Sequence, residues 1–194
     1  MDGFVELLCE LIEDTGIGNE HVFTKKRYLE LPGFFRPTKE WDLLVVADKR
    51  LLAAIELKSQ VGPSFGNNFN NRTEEAMGSA LDLWTAFREK AFSYAIRPWL
   101  GYVFLLEDCP QSRRPVKVRE PHFAVFPEFQ EASYAKRYEL FCRKLVIEGH
   151  YHAASLLTSD KERGLLGAYQ EPADDLGFGH FARSLRAHLG IYVK

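Results

Sequence analysis

The stretch Trp41-Asp42-Leu43-Leu44-Val45-Val46-Ala47-Asp48-Lys49-Arg50-Leu51-Leu52-Ala53-Ala54-Ile55-Glu56-Leu57-Lys58 sets two apolar runs on either side of a short charged break. Runs of this length bounded by turn residues read as two strands, Trp41 to Ala47 and Leu51 to Lys58, joined in a tight hairpin that is buried on at least one face. Three charges, Asp42, Glu56 and Lys58, are embedded in that apolar sequence. Burying them costs several kcal/mol per ion, of order, unless they pair or bind a metal. Strand periodicity puts Glu56 and Lys58 on one face. Asp42 joins that face only if it lies in register with Glu56, which requires an odd loop such as Asp48-Lys49-Arg50 or one bulge. Two carboxylates and an ammonium would then converge, enough to hold a hard divalent cation and orient a water beside it. A buried Asp-Lys ion pair is the simpler alternative.

Around this hairpin the chain reads as mixed α and β without internal repeats. Phe4, Leu7, Leu8, Leu11 and Ile12 fall at helical spacing before Gly16, with Glu6, Glu10 and Glu13 opposite. Asn71 is expected to cap a long helix with Met77, Ala80, Leu81, Trp84 and Phe87 on one stripe. A third strand is expected over Trp99 to Leu106. A helix opens at Ser133, turns Tyr134, Tyr138, Phe141 and Leu145 inward and closes at Gly149. Beyond Gly149 the pattern weakens, and Phe178 to Leu189 reads as a last short helix. The 194 residues are therefore expected to form one domain, a core over about 2–149 with an extension over 150–194.

Composition narrows the function classes. Hydrophobic residues make up 46% and charged residues 27%, which sets aside fibrous and disordered chains. No run is long enough to span a membrane and acids stand where a signal peptide carries bases, so a cytoplasmic protein is expected. Cys9, Cys109 and Cys142 lack the spacing of a zinc ribbon or a disulfide framework and read as small hydrophobes. The net charge of −2 excludes a blanket polycation. Its distribution is uneven: residues 1–24 hold six acids and no Lys or Arg, whereas residues 112–149 hold eight bases against five acids. One face of the fold could be basic. None of the six histidines forms a His-x3-His pair, and His150 and His152 read as surface residues. There is no phosphate-cradling glycine loop and no serine nucleophile elbow.

The segment Ser59-Gln60-Val61-Gly62-Pro63-Ser64-Phe65-Gly66-Asn67-Asn68-Phe69-Asn70-Asn71-Arg72 reads as a loop leaving the acidic strand, dense in amides. Asn and Gln can bond adenine bidentately and Arg can do the same to guanine, so it could read bases; turn chemistry is the plainer account.

This loop, together with Leu31-Pro32-Gly33-Phe34-Phe35-Arg36-Pro37-Thr38-Lys39-Glu40-Trp41-Asp42, Glu56-Leu57-Lys58-Ser59, Glu107-Asp108-Cys109, Arg114-Pro115-Val116 and Ser133-Tyr134 with Arg137-Tyr138-Glu139, closely resembles the XhoI family of type II restriction endonucleases. The resemblance covers about residues 2–149. It implies an α/β (α+β) fold with a restriction-endonuclease-like PD-(D/E)xK core, a mixed central sheet flanked by helices. Trp41 stands where the superfamily's naming proline is found. The implied catalytic residues are Asp42, Glu56 and Lys58, with Asp42, Glu56 and the Leu57 carbonyl as ligands of Mg²⁺. Lys39, Gln60, Asn67, Asn68, Asn70, Asn71, Arg72, Arg113 and Arg114 form the expected DNA-binding set. The expected activity is Mg²⁺-dependent cleavage of double-stranded DNA at a palindrome, with CTCGAG and 5′ overhangs as the implied target. A homodimer and a cognate methyltransferase as genetic partner are implied as well. The alternatives are a repair or structure-specific nuclease on the same core that cuts without sequence preference, and a DNA-binding module whose site is structural.

Overall fold

The structure, a computed structural model, describes residues 2–92 and 97–192. In chain order its elements are α1 (Asp2–Glu13), β1 (Val22–Phe23), β2 (Glu30–Pro32), β3 (Thr38–Glu40), β4 (Leu43–Ala47), β5 (Arg50–Gln60), α2 (Phe65–Arg88), β6 (Trp99–Glu107), α3 (Pro110–Arg113), α4 (Tyr134–Ile147), β7 (Ala153–Ser159), α5 (Lys161–Gly164) and α6 (Phe178–Leu189). Five strands form the central sheet in the order β1-β4-β5-β6-β7, and β2 and β3 form a separate hairpin. The β1-β4 and β4-β5 pairs are antiparallel. The β5-β6 and β6-β7 pairs are parallel, with α2 and α4 in the crossovers. Period-two alternation divides the sheet's side chains between two cores. Leu44, Ala54, Tyr102 and Phe104 meet Ala80, Leu83 and Trp84 of α2 and Tyr138 and Phe141 of α4 on one face. Leu43, Val45, Ile55, Leu57 and Val103 meet Leu8 and Ile12 of α1 and Phe181 and Leu185 of α6 on the other.

The hairpin solves its register by the second of the two expected routes. Ala47 pairs with Arg50, so the turn is the two-residue Asp48-Lys49 and not an odd three-residue loop. Both turn residues have positive φ, 49° and 59°, as a primed hairpin turn requires. Such a turn alone would set Asp42 against Ile55. The irregularity at Val45/Val46 makes Leu52 an extra residue, and pairing resumes at Val45↔Ala53 and Leu43↔Ile55. One bulge thereby carries Asp42 level with Glu56.

Four expectations are corrected. The amide-rich segment after β5 is not a loop: α2 begins at Phe65, and Asn67 to Arg72 lie in its first two turns, so Asn71 does not cap it. Phe65 stacks on Tyr134, and Phe69 packs edge-on to Tyr138 and Phe141. This aromatic packing outweighs the weak helix propensity of the asparagines between them. The buried stripe of α2 is Ala76, Ala80, Leu83 and Trp84, with Met77 and Leu81 exposed. The segment after Gly149 is no appendage, because β7 completes the sheet and α6 covers one face. Its run Ala153-Ala154-Ser155-Leu156-Leu157-Thr158 is buried throughout, so it lacks the alternation that marks a half-buried strand. Finally, His152 is half-buried between Trp84 and Trp99 and is not a surface residue. No helix among the described residues is long and apolar enough to cross a membrane.

Candidate active site

Asp42 is anchored at the mouth of the β4-β5 hairpin by the chain on both sides of it. The N–H of buried Trp41 donates to the Leu29 carbonyl at 2.9 Å, and the N–H of Asp42 donates to the Ile55 carbonyl at 3.2 Å. The Leu57 N–H donates to Asp42 Oδ2 at 2.7 Å. Glu56 stands on the α2 face of β5 and is only 4% exposed. Lys58, two residues on and therefore on the same face, places Nζ 2.5 Å from Glu56 Oε1 and 3.3 Å from Asp42 Oδ2. The structure thus brings Asp42, Glu56 and Lys58 to one point. Burial works against the Lys58 charge, but the Glu56 carboxylate and then Asp42 outweigh it and hold its pKa above the ordinary lysine value.

A fourth charge completes the cluster. Lys39, on β3, donates from Nζ to Glu56 Oε2 at 2.7 Å and to the Glu40 carbonyl at 2.8 Å, and lies 4.6 Å from the centroid of the Trp41 ring. Its side chain is only 12% exposed, so it is a partner of Glu56 rather than a free surface cation. Sequence reasoning grouped Lys39 with the DNA contacts because the short β2-β3 hairpin carries no long alternating pattern. The available signal was the spacing Lys39-x-Trp41, which puts ammonium and indole on one side of an extended chain.

The β2-β3 hairpin is held by a residue the sequence did not single out. Asp82, buried on α2, accepts from the N–H groups of Phe34 and Phe35 at 2.6 and 2.8 Å and from Arg36 Nε at 2.8 Å. A Cβ on Gly33 would lie 2.3 Å from Asp82 Oδ2, so this turn admits no side chain there. Burial raises the Asp82 pKa, yet the two backbone donors and Arg36 prevail and leave it below the usual carboxylate value.

The remaining expected DNA contacts are dispersed. Gln60 is buried and accepts from the Tyr138 hydroxyl at 2.8 Å, so it does not face solvent. Asn67, Asn70 and Asn71 are exposed on one face of α2, Asn68 is half-buried, and Arg72 pairs with Glu75 at 2.6 Å. Arg113 pairs with Asp108 at 2.8 Å. Arg114 is exposed, and no ion-pair partner for it occurs among the described residues. It shares an open groove with Ser64, Asn67, Gln111 and Tyr134 beside the first turn of α2, just past the end of the strand that carries Lys58.

A mixed sheet flanked by helices, with an acid at the mouth of a hairpin facing a Glu-x-Lys strand, is the core of a restriction-endonuclease-like nuclease. The chain belongs to the XhoI restriction endonuclease family, whose model, described as restriction endonuclease XhoI, matches residues 1–171. The match runs past residue 149 and takes in β7. The chain is 61% identical over 194 residues to the type II restriction enzyme BstVI of Geobacillus stearothermophilus, covering 97% of this chain and 86% of that protein. It is 52% identical over 150 residues to the type II restriction enzyme XhoI of Xanthomonas vasicola, covering 77% of this chain and 60% of that protein. It is 56% identical over 123 residues to the type II restriction enzyme AbrI of Azospirillum brasilense, covering 63% of this chain and 55% of that protein. No solved structure matches the chain.

Proposed function

We propose that this protein is a Mg²⁺-dependent endonuclease that hydrolyses both strands of a DNA palindrome. The observation that carries the reading is the bulge-set register that joins Asp42 to Glu56 and Lys58, in a chain of the XhoI family. The donor set suits a hard divalent cation. Among the described residues no group of three or more His, Cys, Asp or Glu gathers as a metal cage. Mg²⁺ needs none, since one or two carboxylates, waters and a substrate phosphate commonly hold it. The Lys58 ammonium already contacts both carboxylates, so their oxygens converge closely enough to share one cation. Asp42, Glu56 and the Leu57 carbonyl would hold Mg²⁺. When bound, it would supply Lewis acidity toward the scissile phosphate and make a water more acidic.

The chain's own groups do the rest. Lys58, held protonated by its two carboxylate neighbours, orients the attacking water and offsets charge on the phosphate as the water oxygen bonds to phosphorus and gives up a proton to solvent, while the bond to the 3′ oxygen breaks and that oxygen takes a proton up. The products are a 5′-phosphate and a 3′-hydroxyl. Base edges are read from the Asn67 and Arg114 groove and the exposed asparagines of α2, where Asn suits adenine and Arg suits guanine. Gln60 supports that region from within. A palindrome offers two identical half-sites, so the working unit is a homodimer, and a cognate methyltransferase protects the host's own sites.

Digestion of two plasmids that differ by a single CTCGAG tests this reading. Linearisation of the site-bearing plasmid alone in Mg²⁺, with sequenced ends showing 5′ overhangs, is the expected result. A smear of fragments would indicate a nuclease without sequence preference, and no cutting would indicate a module whose site is structural.

A further inference from the structure

We infer that Lys39 takes the place of a second metal ion, so that each active site works with one divalent cation. The inference rests on the proposed nuclease reading and extends it to the charge balance of the site. Asp42 and Glu56 contribute two formal negative charges, and Lys58 and Lys39 contribute two positive ones. The four groups are neutral together. Hydrolysis brings a phosphodiester and a hydroxide-like nucleophile, two further negative charges. One divalent cation balances them; a second would leave the site with two uncompensated positive charges in a poorly solvated place.

Geometry separates the roles of the two lysines. Lys58 touches both carboxylates and is the more exposed of the two lysines, 21% against 12%, so it is the group that would give way to a divalent cation held by Asp42 and Glu56. Lys39 touches only one of the two carboxylates, at Glu56 Oε2, and is kept there by the Glu40 carbonyl and the Trp41 ring. It cannot leave without breaking all three contacts. The β2-β3 hairpin that carries it is itself clamped to α2 through Asp82. Lys39 is therefore a fixed charge on Oε2 of Glu56, and the metal would be left Oε1, the oxygen that Lys58 now contacts.

The test uses Lys39→Met, which keeps an apolar stem against Trp41 and removes the charge, and Lys39→Arg, which keeps the charge. Calorimetric titration of Ca²⁺ into the protein saturated with a CTCGAG duplex should give one ion per active site for the wild type. Single-turnover cleavage should depend on Mg²⁺ without cooperativity. Lys39→Met should cut at least about 100-fold more slowly at low Mg²⁺, recover part of the rate at high Mg²⁺ with cooperative dependence, and bind a second Ca²⁺. Lys39→Arg should keep the wild-type stoichiometry. Two Ca²⁺ ions per wild-type site, or a folded Lys39→Met that cuts and binds metal like the wild type, would overturn the inference. Wild-type stoichiometry decides the matter alone if Lys39→Met does not fold. Failure of the wild type to cut duplex DNA is a separate result, which removes the nuclease reading and this inference with it.

Discussion

Glu56 shows what a single residue reveals in sequence and what it conceals. An acid inside Ala53-Ala54-Ile55-Glu56-Leu57 announces a buried charge, and the structure supplies its two lysine partners, Lys58 and Lys39. Only Lys58 was legible, because it is two residues away on the same strand. Lys39 is 17 positions distant and meets Glu56 only through tertiary packing. His152 was misjudged for a similar reason, since nothing local tells that Trp84 and Trp99 enclose it. Its Nδ1 accepts from the Leu100 N–H at 3.0 Å, which only the unprotonated nitrogen can do. Burial, then Arg97 and His188, push its pKa down to about 4. The unfolded chain takes up this proton near its ordinary value of about 6.5 and the folded one only near 4, so the contribution to stability is whole above pH 6.5 and is lost as pH falls toward 4. Urea unfolding across that range should show the decline, and His152→Asn should flatten part of it. An unchanged slope in the variant would assign the decline to other groups.

Among the elements, those with strong local patterns were recovered: α1, β6, α4 and α6 fall where periodicity and caps placed them, with Ser133 accepting from the Lys136 N–H at the head of α4. The failures occurred where packing overrides propensity, as at the start of α2, or where burial on both faces removes alternation, as in β7. The small β2-β3 hairpin was invisible as an element although its residues carried the family resemblance. Its stability rests on Asp82, and Asp82→Ala would strand the Phe34 and Phe35 N–H groups and unpair Arg36. A loss of about 2–4 kcal/mol in denaturant unfolding is expected. Asp82→Asn keeps an acceptor and should lose less. Equal losses in the two variants would show that charge on Arg36, not the grip on the hairpin tip, is what matters. The depressed Asp82 pKa adds that this contribution is whole above the unfolded value and is lost as pH falls through the folded one.

For the whole molecule, the overall acidic charge of −2 coexists with exposed bases, Arg114, Lys117 and Arg119, that have no ion-pair partner among the described residues. Arg113, Arg137 and Arg143, counted in the same basic stretch, are tied to Asp108, to backbone carbonyls, and to Glu139 and Asp175. The stretch is thus less basic toward a partner than its composition suggests. Two-fold symmetry of the proposed substrate calls for two copies of the chain. Light scattering in the presence of a palindromic duplex and Ca²⁺ should report twice the 22.3 kDa protein mass plus one duplex. One chain per duplex at saturation would contradict the dimeric reading.

The cleavage and metal-binding expectations depend on Asp42, Glu56 and Lys58 being the centre of chemistry and not a structural ion-pair network. Lys58→Ala separates the two, because Glu56 keeps Lys39 as a partner, and Asp42, which loses its lysine, keeps the Leu57 N–H and is 37% exposed to water. The direct measurement is single-turnover cleavage of a CTCGAG duplex in Mg²⁺ by wild type and Lys58→Ala, with duplex binding measured alongside in Ca²⁺. The account expects unchanged binding and a rate lower by at least about two orders of magnitude. A folded Lys58→Ala protein that binds and cuts at close to the wild-type rate would contradict it.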